Sequence, residues 1–359
     1  MNRRVQVAFV EPFFAGSHAA FAEALFSGVD VDWRRLTLPG RHWKWRMRGS
    51  AAFFASSPEL DGADVVLASS YVPLAELVGL RPALAQVPRV LYFHENQLTY
   101  PNQTDAPRDH HFGFTQLVSC LAATECWFNS AYNLRSFLDA GRALLARMPD
   151  AVPPGFVERI EARASVMPVP LELPSAPVAP PEPGPPLVLW NHRWEHDKDP
   201  WTFFAGLEAV AARGVDFALA VAGPRHGRWP DVFDEAAERF ADRLVHFGPA
   251  DRATYESLLH RADLAVSTAQ HEFFGIAMLE ATHFGACPLV PDDLAYAELF
   301  GPEFRYARDG FVDALAARLT QPRPLRADRR SITAPFGAPL IARYQEALER
   351  LAACHVPNR

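Results

Sequence analysis

Residues 187–200 read Leu187-Val188-Leu189-Trp190-Asn191-His192-Arg193-Trp194-Glu195-His196-Asp197-Lys198-Asp199-Pro200. Four apolar residues in a row predict a buried strand, the polar run after them a loop, and a helix start follows. A strand buried on both faces and followed by a helix is the repeating unit of α/β folds with parallel sheets. Ligands of such sheets collect where strands end, which singles out Arg193 and Lys198. Two cations close to a helix start suit the charge that develops on a departing diphosphate. The plainer alternative is a pair of solvated surface cations.

The same alternation runs outward in both directions. Upstream, strands are predicted at 5–10, 31–37, 64–68, 88–93 and 124–129, with helices near 18–27, 72–79, 112–122 and 130–139. Downstream, strands are predicted near 217–222, 244–247, 263–267 and 287–290, each before a helical stretch, and a last helix covers about 336–353. Between the halves, residues 168–186 hold nine prolines in nineteen positions, a composition that favours extended chain. The expected organisation is a Rossmann-like domain over 1–167, a proline-rich linker over 168–186 and a second Rossmann-like domain over 187–335. A terminal helix within 336–359 can pack back across the junction. Two such domains are expected to face each other across a cleft.

Composition narrows the classes. The 359 residues exceed one comfortable core, with 49% hydrophobic and 21% charged. No apolar run approaches the ~18 residues of a membrane span, and the amino terminus lacks a secretory pattern, so a cytoplasmic protein without a membrane partner is expected. The net charge of −7 argues against indiscriminate nucleic-acid binding. Residues 33–58 nevertheless carry six cations (Arg34, Arg35, Arg41, Lys44, Arg46, Arg48) and no acid. Together with Trp43, Trp45, Phe53 and Phe54 they form the mixture that attracts phosphates and stacks unpaired bases. The alternative is a loop whose tryptophans fold inward. Cys120, Cys126, Cys287 and Cys354 lack metal-ligand pairing and are expected reduced, in or near the core.

Other strand ends also carry chemistry. After the first strand comes Glu11-Pro12-Phe13-Phe14-Ala15-Gly16-Ser17-His18, whose single glycine is no dinucleotide fingerprint. Gly16 and Ser17 can approach a substrate, or Ser17 can simply cap a helix. The fourth strand delivers His94-Glu95-Asn96-Gln97, where His94 can bond a sugar hydroxyl or exchange a proton, unless it is a core histidine partnered by Glu95. Finally, His271-Glu272-Phe273-Phe274-Gly275-Ile276-Ala277-Met278-Leu279-Glu280 sets Glu272 on a loop and Glu280 just over one turn inside a helix. Two carboxylates so placed, with free helix amino-end N–H groups between them, suit the two ends of a nucleotide-sugar. In isolation they also describe an ordinary amphipathic helix. His110 and His111 have no supporting carboxylate spacing, and no metal site is expected.

Arg193-x4-Lys198 with Glu272-x7-Glu280 resembles retaining GT-B glycosyltransferases over residues 187–300. That resemblance implies that Arg193 and Lys198 hold a diphosphate, Glu280 the ribose hydroxyls and Glu272 the transferred sugar, with Phe273, Phe274 and Gly275 in the same donor loop. Members usually carry glycine where this chain has His192. The segments Glu11 to His18, Leu38-Pro39-Gly40-Arg41-His42-Trp43-Lys44-Trp45-Arg46, Leu91 to Pro101, Phe128-Asn129-Ser130 and Trp190 to Lys198 together resemble the tRNA-queuosine mannosyltransferase family along essentially the whole chain. The resemblance implies transfer of mannose from GDP-mannose to the cyclopentene-diol of queuosine in a tRNA anticodon loop. It implies acceptor contacts from Gly16, Ser17, His18, Arg41, Trp43, Lys44, Trp45, Arg46, Glu95, Asn96 and Gln97, further polar ones between Pro101 and Gln116, and His94 acting with Glu272, Arg193 and Lys198 in catalysis. No cofactor beyond the donor is implied. Two other functions share these residues: a retaining GT-B enzyme acting on a lipid, glycan or small molecule, and an inactive RNA-binding relative.

Overall fold

The structure, a computed structural model, describes residues 3–101, 109–175, 178–225, 229–322 and 325–354. Two compact units make up the chain: Met1–Glu172 with Phe336–Arg359, and Leu173–Pro335. The boundary at 172/173 falls inside the proline-rich stretch. Prolines lack the N–H that a sheet or helix interior needs, so the chain crosses there as extended backbone.

The first unit contains β1 (Gln6–Phe14), β2 (Asp32–Pro39), β3 (Val65–Ser69), β4 (Arg89–Phe93), β5 (Glu125–Phe128) and β6 (Ala164–Val166) in the order β2-β1-β3-β4-β5-β6. All pairings are parallel. Its helices are α1 (Gly16–Gly28), α2 (Trp43–Phe54), α3 (Leu74–Leu80), α4 (His110–Ala122), α5 (Ala131–Leu145) and α6 (Phe156–Glu161). Strands β1, β3 and β4 are buried almost throughout because helices cover both faces, as their unbroken apolar runs require. Helices α4 and α5 start where Asp109 and Ser130 accept from the N–H groups of His111 and Asn133, both at 2.9 Å. The sequence pattern misses β6, three half-buried residues that are too few for a period.

The second unit contains β7 (Leu187–Trp190), β8 (Ala218–Ala222), β9 (Leu244–Gly248), β10 (Leu264–Val266), β11 (Cys287–Pro291) and β12 (Arg305–Tyr306), ordered β12-β11-β10-β7-β8-β9 and again parallel. Its helices are α7 (Pro200–Ala212), α8 (Val232–Arg239), α9 (Arg252–Arg261), α10 (Ile276–His283), α11 (Tyr296–Leu299), α12 (Phe311–Thr320) and α13 (Arg330–Thr333). Trp190, Trp194, Phe203 and Phe233 fill its core. In each sheet the strand order reverses once, between β1 and β3 and between β7 and β10. Those switch points open a crevice at the strands' carboxyl ends.

Helix α14 (Ala338–Ala353) belongs to the first unit, burying Leu340, Tyr344, Leu348 and Leu351 along one stripe. The Tyr344 hydroxyl donates to Pro168 O at 2.8 Å, and its ring meets Phe21 and Trp127. Cys120, Cys126 and Cys287 are buried, whereas Cys354 at the end of α14 is exposed, contrary to the expected burial of all four. No helix among the described residues is long and apolar enough to cross a membrane.

Candidate functional site

In the second unit the switch point gathers the residues that the sequence singles out. The loop after β7 and the loop after β10 are zipped together: Gln270 N donates to Asp197 O at 2.8 Å, and Thr268 Oγ1 to Asp199 O at 2.9 Å. This pairing brings Lys198 against Glu272, 74 positions away in sequence. The buried Lys198 ammonium donates to His271 O at 2.7 Å and to Glu272 Oε2 at 3.3 Å, and forms an ion pair with Asp197 Oδ2 at 3.1 Å. Burial works against all three charges, and their mutual attraction outweighs it. Lys198 is raised above its ordinary value, while Asp197 and Glu272 are held below the usual carboxylate range. Nearby His192 is pushed down to about 4, first by burial and then by Lys198, so it is neutral at pH 7. Asp197-Lys198-Asp199 has the spacing of a carboxylate metal grip, but the two acids diverge. Asp197 faces Lys198, whereas Asp199 caps α7 through Thr202 N at 3.2 Å and accepts from Gln270 at 2.7 Å.

Glu272 also accepts from Phe274 N at 3.2 Å, closing the turn that leads into α10. Gly275 makes that turn possible. Its φ is +102°, and a Cβ there would lie 2.8 Å from the ring of Tyr296. The Phe273 and Phe274 rings are buried, so only the loop's backbone and Glu272 remain for a ligand. One turn on, Glu280 accepts from the Tyr255 hydroxyl at 2.8 Å. Asn191 donates to that hydroxyl at 3.0 Å and to Ala277 O at 2.9 Å. Burial raises the Glu280 carboxyl, and the Tyr255 bond only partly offsets it. Sequence reading passed over Tyr255 and Asn191, because neither stands in a recognisable pattern with Glu280. Arg193 is half exposed, with Glu195 at 3.4 Å.

In the first unit, His94 lies at the carboxyl end of β4 and is buried. Its ring stacks on that of His18 with centroids 4.0 Å apart. His18 bonds Glu11 at 3.0 Å rather than standing open to solvent, and Glu95 partners Tyr71 and Gln97 instead of His94. Asn96 is fully buried, donating to Asn133 at 2.9 Å and accepting from Thr99 N at 2.9 Å, so its amide holds the loop together. Gln97 N donates to Gln116 at 2.8 Å. Gly16, with φ +52°, opens α1, and Ser17 is its exposed second residue. Residues 102–108, within the stretch expected to supply further acceptor contacts, lie outside the described residues.

The basic segment is the strand β2, a short link and the helix α2 rather than a loop. Trp45 and Phe53 stand out at 67% and 58% exposure, but Phe54 is buried and Trp43 half-buried against Tyr71 and Phe112. The expectation of four exposed aromatics is corrected on those two counts. The helix faces the sheet with Met47, Ser50, Ala51 and Phe54, and Phe54 is what anchors it. Three of the six cations are committed to the fold: Arg34 to Gln6 and to the Asp61 carbonyl, Arg35 over Phe26, and Arg48 between Phe112 and Asp109. Arg41 and Lys44 are exposed and Arg46 half-buried.

Comparison with known proteins places the chain in a family. A family profile described as tRNA-queuosine alpha-mannosyltransferase N-terminal covers residues 6–171, and one described as glycosyl transferases group 1 covers 177–322. A tRNA-queuosine alpha-mannosyltransferase from Drosophila melanogaster is 38% identical over 312 residues, 84% of this chain and 83% of that protein. Among solved structures, sucrose-phosphate synthase from Thermosynechococcus elongatus superposes with a TM-score of 0.66 at 15% identity, covering 97% of this chain and 99% of that one. Anabaena HepE in complex with UDP gives 0.63 at 12% identity, covering 98% and 97%. The structural likenesses carry the GT-B fold, and the identity to the fly enzyme across both units carries more: the chain belongs to the tRNA-queuosine alpha-mannosyltransferase family.

Proposed function

We propose that this protein transfers mannose from GDP-mannose to queuosine in the anticodon loop of a tRNA, with retention of configuration. The observation that carries the donor half is Lys198 held between Asp197 and Glu272 beside the amino end of α10, with Glu280 one turn further on. The contact to Glu272 is the longest of the three around Lys198, so an arriving diphosphate replaces it. The exchange leaves Lys198 on the phosphate and releases the Glu272 carboxylate toward the sugar. Arg193 and the α10 N–H groups take up the remaining phosphate charge. Glu280, anchored by Tyr255, accepts from the ribose hydroxyls.

Transfer then runs on one face of the sugar. The bond from the anomeric carbon to the diphosphate oxygen breaks as the bond to the acceptor hydroxyl forms, and the hydroxyl proton passes to the leaving diphosphate. Charge stabilisation and positioning supply the rate, with no covalent carboxylate. Two cations and a helix end meet the leaving group, and we assign it no divalent ion or other cofactor. On the acceptor side, His94 contacts the transferred sugar, Gly16, Ser17, His18, Glu95 and Gln97 border the incoming diol, and the face of α2 around Arg41, Lys44, Trp45 and Arg46 meets the RNA. A cytoplasmic location agrees with a tRNA substrate. Incubation with labelled GDP-mannose and bulk tRNA, prepared with and without queuosine, tests this directly. Label is expected only in the queuosine-containing pool. Equal label in both pools, or transfer only from another nucleotide-sugar, would overturn it.

A further inference from the structure

Glu11 is a carboxylate with 0% exposure, and neither the donor site nor the RNA surface uses it. A buried charge is stable only where hydrogen bonds replace its water. Its Oε1 accepts from Phe13 N at 2.8 Å, and its Oε2 lies 3.0 Å from His18 Nδ1. That contact fixes the proton on Nδ1 of His18. The same Oε2 lies 3.9 Å from His94 Nε2, a buried nitrogen with no hydrogen-bond partner among the described residues. The two imidazoles stack with centroids 4.0 Å apart and 30° between their planes. Phe21 and Tyr92 meet the His94 ring edge to face at 4.9 and 4.7 Å, and Asn129 pins the His94 carbonyl at 2.7 Å.

Glu11, His18 and His94 offer three ligand atoms within 4.8 Å of one another, as a metal site would. A bound ion needs the in-plane lone pairs of both imidazoles to converge at about 2.0–2.1 Å. Rings stacked at this separation and tilt have planes that meet much farther out, and Nδ1 of His18 is turned to the carboxylate. The arrangement suits a held proton rather than a held cation.

We propose that Glu11 is a positioning residue for sugar transfer: its carboxylate holds the Nδ1–H of His18 and with it the orientation of that ring, and the stacked His18 ring in turn fixes His94. The trio sits at the switch point of the first sheet, where β1 runs on past its pairing with β3. His94 is held well below its ordinary basicity, first by burial and second by His18, so a neutral ring is what the stack keeps in place. A neutral imidazole both donates and accepts, as a sugar hydroxyl requires. The proposal rests on the reading of His94 as the group that contacts the transferred sugar.

The test is Glu11→Gln in the full chain, which keeps size and removes charge. Turnover is expected to fall about 10- to 100-fold, the worth of one hydrogen bond to a charged group, with the donor KM unchanged within twofold. Ring 15N spectra should show the His18 Nδ1 resonance moving as its charged acceptor is lost, a readout that does not depend on which donor is used. His18→Asn, whose amide reproduces the Nδ1–H donor, should retain more turnover than His18→Gln, which reproduces Nε2. Wild-type turnover and an unchanged His18 Nδ1 resonance in Glu11→Gln would overturn the proposal. So would a stoichiometric transition metal in the purified wild type that Glu11→Gln loses. Should GDP-mannose prove not to be the donor, the change in the His18 Nδ1 resonance would persist, separating that failure from this one. If Glu11→Gln does not fold, the His18→Asn and His18→Gln pair decides, and equal turnover in the two would sink the idea.

Discussion

Lys198 is the residue on which the proposed donor site balances, because three acceptors surround it and two of them are acids. Replacing Arg193 or Lys198 by alanine is expected to remove about 2–4 kcal/mol of transition-state stabilisation each, measured as the drop in kcat/KM. Near-normal kcat/KM in either variant would remove that residue from the leaving-group role. Lys198 has a further consequence for stability. Its raised value gives a contribution that is present below the unfolded lysine value of about 10.4 and lost as pH rises through the folded one. Asp197 and Glu272, both lowered, contribute above their unfolded values of about 4 and lose that contribution as pH falls through their folded ones. Lys198→Met leaves the buried Asp197 and the part-buried Glu272 without their cation, and the cost is expected near 3 kcal/mol at pH 7, shrinking below pH 4 as both become protonated. Denaturant midpoints between pH 3 and 9 would show this, and a flat difference would refute it. Glu280 has the opposite sign. Burial raises it, so its stabilising form is the protonated one, lost as pH rises. Glu280→Gln should therefore melt no lower than the wild type at pH 7 while raising the donor KM about tenfold, the worth of one charge-assisted hydrogen bond. An unchanged donor affinity by calorimetry would count against the ribose role. The sequence alone makes Arg193, Lys198, Glu272 and Glu280 legible, because they stand next to recognisable strand and helix ends. Tyr255 and Asn191 are not legible, since only folding brings them to Glu280 from 25 and 89 positions away.

At the scale of an element, α2 shows why a helix can hide in a sequence. Its inward positions Met47, Ser50, Ala51 and Phe54 follow helical spacing, but two of the four are small, so the apolar stripe is faint. Its outer face is the informative one. Trp45 lies flat along the helix because Gly49, one turn on, has no side chain: a Cβ there would come within 2.9 Å of the indole. The indole is left 67% exposed, as a platform that follows Lys44 and precedes Arg46 in sequence. Replacing Arg41, Lys44 and Arg46 together is expected to weaken tRNA binding and lower the slope of log K against log salt by about 2, the share of three phosphate contacts on a single strand. Filter binding at several salt concentrations measures it, and the donor KM should not change. An unaltered slope would make the α2 cations structural.

For the whole molecule, the chain's return matters most. Helix α14 leaves the second unit and completes the first, where its four buried side chains are worth about 1.5–3 kcal/mol each. That total rivals the 5–15 kcal/mol by which a domain is usually stable. Ending the chain at Pro335 is expected to unfold the first unit while the second keeps a cooperative transition. Hydrogen exchange resolved by segment would show it, and retained protection of β1 and β4 in the truncated chain would contradict it. By itself the sequence determined the alternating strands and helices and singled out the polar residues at their ends, because apolar runs and strand-end polar residues are local signals. Only the tertiary structure decided which charges are already paired, that Glu11 rather than Glu95 partners a histidine, and that residues 336–354 close the first unit. Those outcomes depend on strand order and on side chains packed across distant segments, which no local pattern records.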